Sequence, residues 1–131
     1  MAQQSNKEGP FVIGVDAGTE SLRAGVFDLQ GTPLACSSTA YQTTFPKPGW
    51  AEQNPQDWWE ALGKSVKNSI SEAGISSSAV AAICLDTTCC SVVALDEKGD
   101  PLRPCLIWMD LRSAPQTEKV LDTGDKALRV N

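Results

Sequence analysis

Asp16, Gly18, Thr19 and Ser21 sit within six residues of one another in the stretch FVIGVDAGTESLRAGVFD, residues 11–28. Short apolar runs flank them and end at Asp16 and Asp28. Runs of this length bounded by turn residues read as strands, so the spacing predicts two antiparallel strands joined by a Gly-containing loop. Gly18 has no side chain to keep an anion from the loop's backbone N–H groups, and the hydroxyls of Thr19 and Ser21 add donors. A carboxylate at Asp16, at a strand end, suits a hydrated Mg²⁺ held against phosphate oxygens. Together these are the parts of a nucleotide-phosphate hairpin. The same residue types serve an ordinary β-hairpin equally well, with Asp, Thr and Ser satisfying turn amides, and the loop by itself does not separate the two readings.

The elements that must position this loop follow in order. MAQQSNKEGP, residues 1–10, has the polar composition of a disordered lead-in. After a turn at residues 29–33, residues 34–41 read as a third strand, whose small and hydroxyl side chains suit a sheet edge. Residues 42–53 carry Pro46, Pro48 and Gly49 and read as an ordered loop, with Trp50 either a lid or, the favoured reading, an anchor on the core. Asn54-Pro55 is a helix start, Asn as N-cap and Pro in the first turn, with Asp57 near the positive end of the dipole. Trp59, Leu62, Val66, Ile70 and Ala73 recur at helical spacing before Gly74, which predicts a helix packed through that stripe, Trp59 included, onto a sheet. Residues 79–85, AVAAICL, lack polar alternation and predict a strand covered on both faces, reached by a helical crossover and so parallel.

That strand ends at Asp86, and small polar residues 87–91, TTCCS, precede a further strand over residues 92–95. A tight turn at residues 97–100 returns the chain as residues 102–107, which Pro101 and Pro104 confine to an edge. WMDLR, residues 108–112, then leaves the sheet, and Pro115 opens a helix over residues 116–121. Asp28 and Asp96 each precede a turn and read as turn-forming residues. The sequence shows no internal repeat.

Composition narrows the function classes. With 41% hydrophobic and 21% charged residues the chain is ordinary globular material, and its 131 residues suffice for one core. A net charge of −5, without histidine or any basic cluster, argues against nucleic acid as a partner. No apolar run is long enough to span a bilayer, and the polar start lacks a signal-peptide core, so the expected location is the cytosol or another reducing compartment. The odd count of five cysteines, placed in or beside predicted strands, fits free thiols. Zinc is not expected either, because no histidine and no C-x-x-C pair is present.

Taken together, GVDAGTESLRAGVFD, PGWAEQNPQDWW and LDTTCCSVVALDEKGDPLRPCLIWMDLR resemble, in order and spacing, the N-terminal part of the FGGY family of carbohydrate kinases. Asp-x-Gly-Thr alone is shared by the whole actin-like superfamily; the succession of the three stretches, from residue 11 to about residue 112, is specific. The surroundings of Thr88 and Cys89 and the Trp-Met-Asp-x-Arg segment look most like the ribulokinase and pentulose-kinase branches; glycerol kinases carry an Arg-Glu pair at the positions of Cys89 and Cys90.

The resemblance implies an α/β, ribonuclease H-like (actin-like ATPase) domain with a mixed sheet and flanking helices, and ATP-dependent, Mg²⁺-assisted phosphorylation of a sugar or polyol such as ribulose or xylulose. By match of motif, Asp16 would organise Mg²⁺ and the transferring phosphate, Gly18, Thr19 and Ser21 would cradle phosphates, and Arg23 would offset their charge. Thr88, Cys89, Cys90, Asp110 and Arg112 would contact sugar hydroxyls, with the two cysteines contributing shape rather than chemistry; the alternative is that Asp86 and Asp110, at strand ends, only cap neighbouring amides and that Arg112 only pairs with Asp110 on the surface. Glu20, where the family often has a small or hydroxyl residue, would point to solvent or to Arg23. In the family the general base and the adenosine pocket come from sequence beyond the position of Asn131, so no catalytic base is assigned here. The expectation is an incomplete N-terminal domain over residues 11–131 without the second domain, inactive alone, from a parent that could form a homo-oligomer. A non-catalytic binding or regulatory module, or an actin-like ATPase, are the alternatives.

Overall fold

Strand β1, Phe11–Ala17, has neighbours on both sides and fixes the order of the larger sheet. It pairs antiparallel with β2, Ser21–Phe27, and parallel with the strand of residues Val80–Thr87. β3, Pro33–Ala40, closes the other side of β2 as an edge strand, as its composition predicts. The structure, a computed structural model, describes residues 9–129. The expected lead-in therefore lies outside the described residues except for Gly9 and Pro10.

The chain divides into two compact units. The first comprises residues 9–42 with 54–89, and the second residues 43–53 with 90–129. In the first, alternation along β1 and β2 sends Phe11, Ile13, Val15, Leu22, Ala24 and Val26 to one face, where all are buried. Each large apolar side chain so covered contributes about 1.5–3 kcal/mol. The cover is helix α1, Pro55–Ala73. Asn54 caps it, its side chain accepting from the Gln56 amide at 3.1 Å, and Gly74 ends it in the left-handed conformation at φ 66°.

The face α1 buries differs from the expected stripe. Ala61, Ser65, Ser69 and Ala73, at every fourth position, are buried against β2 and β3, with Leu62, Val66 and Ile70 partly covered at the margin. Trp59 is 70% exposed, so its expected core role is corrected. The reason is steric: small side chains let the helix approach the sheet closely, and Ser65 donates to the Leu22 carbonyl at 3.2 Å and bonds Thr39 Oγ1 at 2.9 Å. A tryptophan would hold the helix off at that distance.

A 3-10 turn, Ser77–Ala79, leads into the parallel strand, Val80–Thr87, which is the fifth strand in chain order, β5. The crossover and the parallel pairing are as predicted. The covering is not: β5 is the other edge of the order β3-β2-β1-β5, and Ile83 and Leu85 are each 57% exposed, because α1 lies over β2 and β3.

The expected loop of residues 42–53, which enters the second unit at residue 43, is not all loop. Glu52–Gln53 form a short strand, β4, paired antiparallel with β6, Cys105–Leu106. The strands expected over residues 92–95 and 102–107 reduce to single bridges, Val92 to Leu106 and Leu95 to Pro101, beside β6. Prolines 101 and 104 deny the ladder its donors there. Helix α2, Ala114–Leu121, has Pro115 in its first turn, as predicted, and a 3-10 turn follows at Lys126–Arg129.

Asp28 and Asp96 build the same loop twice. Asp28 Oδ1 accepts from the amides of Gln30 (2.9 Å) and Thr32 (2.8 Å), and Asp96 Oδ1 from those of Lys98 (2.8 Å) and Asp100 (2.9 Å). Gly31 and Gly99 occupy the left-handed position in each, at φ 82° and 87°. The sequence does carry this repeat, D-x-x-G-x-P-L at residues 28–34 and 96–102, although it is too short to register as a periodicity.

The small-residue face of α1 sets a mutational ranking. Ser65→Leu is expected to destabilise the chain by about 1–3 kcal/mol through overpacking, whereas Trp59→Ala should change stability by less than about 0.5 kcal/mol, as exposed substitutions do. Urea unfolding followed by far-ultraviolet circular dichroism measures both.

Candidate functional site

Register decides what the chemistry-bearing residues of the first unit share. Asp16 pairs with Arg23 across the antiparallel ladder and with Asp86 across the parallel one, while Arg23 pairs with Ser38 of β3. Ser38, Arg23, Asp16 and Asp86 thus form a transverse row on the face away from α1, all four exposed. The next row on that face is Cys36, Gly25, Gly14 and Cys84. Apart from Ser38, these residues line an open groove of about 370 Å³. Its floor is low because two neighbouring strands carry glycine: a Cβ on Gly25 would come within 2.8 Å of Phe27 Cε2.

Arg23 Nη1 reaches Asp16 Oδ2 at 2.9 Å, with the two side chains 57% and 55% exposed. An ion pair this wet is worth about 0–1 kcal/mol, so both groups can be redirected to a ligand at little cost. Asp86 accepts the Thr87 amide through Oδ1 at 3.0 Å, a local cap, and the residue lines the groove.

The hairpin loop is tied from three directions. Gly18 N–H donates to the Ser21 carbonyl at 3.0 Å, so this amide closes the loop and is not among those offered to an anion. The Tyr41 hydroxyl donates to the Gly18 carbonyl, and the Tyr41 amide donates to the Glu20 carbonyl at 3.1 Å. Burial, with the negative charge of Asp16, pushes the Tyr41 phenol above its ordinary range and keeps it a donor. The Thr88 amide donates to the Ala17 carbonyl at 3.2 Å, which sets the segment after β5 beside this loop. Thr19 and Ser21 are half-buried on the loop and Glu20 is exposed.

Of the expected site residues, the first unit therefore gathers Asp16, Gly18, Thr19, Ser21, Arg23 and Thr88 about one sheet end, followed by the exposed Cys89. Cys90, exposed and left-handed at φ 63°, Asp110 and Arg112 belong to the second unit. No disulfide joins any of the five cysteines. Asp86 and Tyr41 join the site without being among the expected ligand residues. Asp86 does carry a signal in the sequence, an apolar run ending in aspartate as β1 does; nothing local marks Tyr41, which reaches the loop through the β2–β3 register.

In the second unit Asp110 and Arg112 are locked together. Arg112 Nη2 lies 2.6 Å from Asp110 Oδ2 and 2.8 Å from Glu52 Oε1, and its guanidinium sits 3.9 Å from the centroid of the Trp50 ring. Trp50, expected on the core, is half-buried beneath this cation, with Lys47 Nζ 4.8 Å from the same ring. The Asp110 side chain is 4% exposed. Hydrogen bonds from Arg112 hold its carboxyl far below the usual carboxylate range, against burial and with help from the Ala51 and Arg112 amides.

Three comparisons with known proteins bear on these arrangements. Residues 11–129 match the model of the FGGY family of carbohydrate kinases, N-terminal domain. A xylulose kinase of Streptomyces coelicolor is 37% identical over 118 residues, covering 90% of this chain and 24% of the relative. A glycerol kinase of Thermococcus onnurineus is 31% identical over 110 residues, covering 84% and 22%. Among solved structures, the xylulose kinase of Rhodospirillum rubrum superposes with a TM-score of 0.81 at 30% identity, covering 90% of this chain and 24% of that one. The chain belongs to the FGGY family of carbohydrate kinases, with the ribonuclease H-like, actin-type α/β fold of that family. It spans about a quarter of the length of the curated relatives it matches. No helix among the described residues is long and apolar enough to cross a membrane.

Two outcomes follow from the geometry. Tyr41→Phe removes one hydrogen bond worth about 1 kcal/mol, roughly a fivefold rise in loop opening, so hydrogen exchange at the amides of residues 18–21 is expected to accelerate by that factor. Asp110 has its folded-state pKa lowered, so its contribution to stability is complete above the unfolded value of about 3.9 and is lost as pH falls below it. Tryptophan emission is therefore expected to stay constant from about pH 7 to 5 and to change only below about pH 4.

Proposed function

We propose that this chain supplies the phosphate-gripping part, and part of the acceptor-binding surface, of an ATP-dependent kinase acting on a ketose or polyol, with a pentulose such as ribulose or xylulose as the best-fitting acceptor class. The observation that carries the reading is the transverse row Arg23, Asp16 and Asp86 at the end of a hairpin whose loop is held by Tyr41 and Thr88. Phosphoryl transfer asks little covalent chemistry of a protein and much positioning and charge stabilisation, and this row carries both signs of charge on a rigid sheet.

The donor set suits Mg²⁺. This ion takes one or two carboxylates, keeps several waters and completes its shell with phosphate oxygens, and it does not need an all-protein cage. Asp16, with Asp86 on the adjacent strand about 4.8 Å away, offers hard, exposed oxygens of that kind. When bound, Mg²⁺ with ATP supplies the phosphoryl group and neutralises charge developing on its oxygens. Asp16 would hold the metal through its water shell, Gly18, Thr19 and Ser21 would shape the loop against the phosphates, and Arg23 would leave Asp16 for the phosphate charge. Thr88 and Cys89 contact sugar hydroxyls, the role that the family resemblance implies for them. The xylulose and glycerol kinases among its relatives support a polyhydroxy acceptor without choosing between the two.

Titrating the 131-residue chain with Mg·ATP by calorimetry tests the phosphate half. Asp16→Asn and Arg23→Gln are each expected to weaken binding about 10- to 100-fold, the range for lost charge-assisted hydrogen bonds, without lowering the unfolding midpoint, since the pair is exposed. Unchanged affinity in both variants would remove the nucleotide from this hairpin.

A further inference from the structure

Asp110 and Arg112 combine a carboxylate and a guanidinium beside an aromatic ring, a set that could bind sugar hydroxyls, yet the geometry has already spent both. Asp110 Oδ1 accepts from the Arg112 amide and from Arg112 Nε, each at 2.9 Å. Oδ2 accepts from the Ala51 amide at 2.8 Å, from Arg112 Nε at 2.9 Å and from Arg112 Nη2 at 2.6 Å. An ionised carboxylate offers about four lone-pair sites, and a 4% exposed side chain has no face left for a hydroxyl. Arg112 in turn spans Asp110 and Glu52 and sits over the Trp50 ring.

What these contacts hold is a turn. The Asp110 amide donates to the Ile107 carbonyl at 2.9 Å, placing Trp108 and Met109 at the two corners. Both flanks of the turn are fastened to one segment: the Ile107 amide donates to the Ala51 carbonyl (3.2 Å), and the Leu111 amide to that of Gly49 (2.8 Å). Ile107 is buried, whereas Trp108 at the tip is 55% exposed.

We propose that Asp110 and Arg112, braced by Glu52, are positioning residues that lock the turn of residues 107–110 and present Trp108, and that neither contacts the acceptor sugar. This deepens the kinase reading, since the sugar as the ligand presented to rests on it; the locking itself does not. A carboxylate that gathers two amides and a guanidinium pre-organises the tip, so that a ligand meeting Trp108 need not order it.

The test is ¹⁵N relaxation of the backbone amide and indole N–H of Trp108 in the full 131-residue chain, free and titrated with D-ribulose and with D-xylulose. Asp110→Asn and Arg112→Lys are expected to drop the Trp108 order parameter from about 0.85 to below about 0.6, Glu52→Gln less so, while α1 signals stay in place. Any sugar-induced shift of Trp108 should weaken in step with that loss of order. Loss of the sugar shift with Trp108 still ordered would make Asp110 a direct sugar contact and overturn the proposal; so would variants that leave Trp108 ordered and the shift intact. A wild-type chain that responds to neither sugar counts against the acceptor reading alone, and the order of Trp108 in the variants still decides the locking. Should Asp110→Asn fail to fold, Arg112→Lys, which keeps the charge and loses the planar fork, decides the matter by the same readouts.

Discussion

The parallel pairing of β1 with β5 is the constraint on which the larger unit depends. β1 is already the antiparallel partner of β2, and a chain can add a parallel neighbour on its other side only through a crossover. That requirement places α1 between β3 and β5 and lays it on one face. The face it covers takes Ile13, Val15, Ala24 and Val26; the other keeps Gly14, Asp16, Arg23 and Gly25. Because side chains alternate, one register decides both the core and the charged row. A slip of one residue between β1 and β5 would separate Asp16 from Asp86 and turn apolar residues onto the open face.

The chain uses the Asp–Arg pair twice with opposite physics. At Asp16 and Arg23 both partners are more than half exposed and linked by one 2.9 Å contact, so the pair adds little stability and can open. At Asp110 and Arg112 the carboxylate is enclosed, the fork engages it through two nitrogens, a second carboxylate and an aromatic ring brace the cation, and two backbone amides complete the shell. Removing one partner there would strand an enclosed charge, which makes the pair a fixture. Residue type alone cannot tell these situations apart; exposure and the number of competing donors can.

The same distinction explains what is legible in the sequence. The β1–β2 hairpin, β3 as an edge, the caps of α1 and the parallel crossover rest on local signals: alternation, Asn54-Pro55, Gly74, an unbroken apolar run. Each is decided within a few residues, and each stands in the structure as the sequence predicts. Trp59 escapes such reading because periodicity gives a helix's apolar sector, not the stretch of it that meets the sheet, and there the small side chains at positions 61, 65, 69 and 73 decide. β5 reads as a covered strand because its composition is apolar throughout, but covering depends on which neighbours α1 reaches. β4 and β6 are two residues each and carry no pattern a window can register. The hairpin loop is legible as a loop; that Gly18 donates its amide inward is a detail of its closure, and that Tyr41 ties it from β3's far end is a long-range fact.

A flat, low face beside the charged row has its own physical cause. Gly14 and Gly25 are partners in the ladder, so two adjacent positions lack a Cβ, and the Phe27 ring lies close over that gap. Neither glycine needs left-handed backbone; both sit in extended strands, where glycine costs up to about 1 kcal/mol relative to alanine. The compensation is access. With ordinary side chains in that row the groove would fill from its floor, and Asp16 and Arg23 would face a ridge in place of an open trough. The glycine pair thus gives the hairpin face its clearance: backbone economy in one row is what leaves the next row's charges open to solvent.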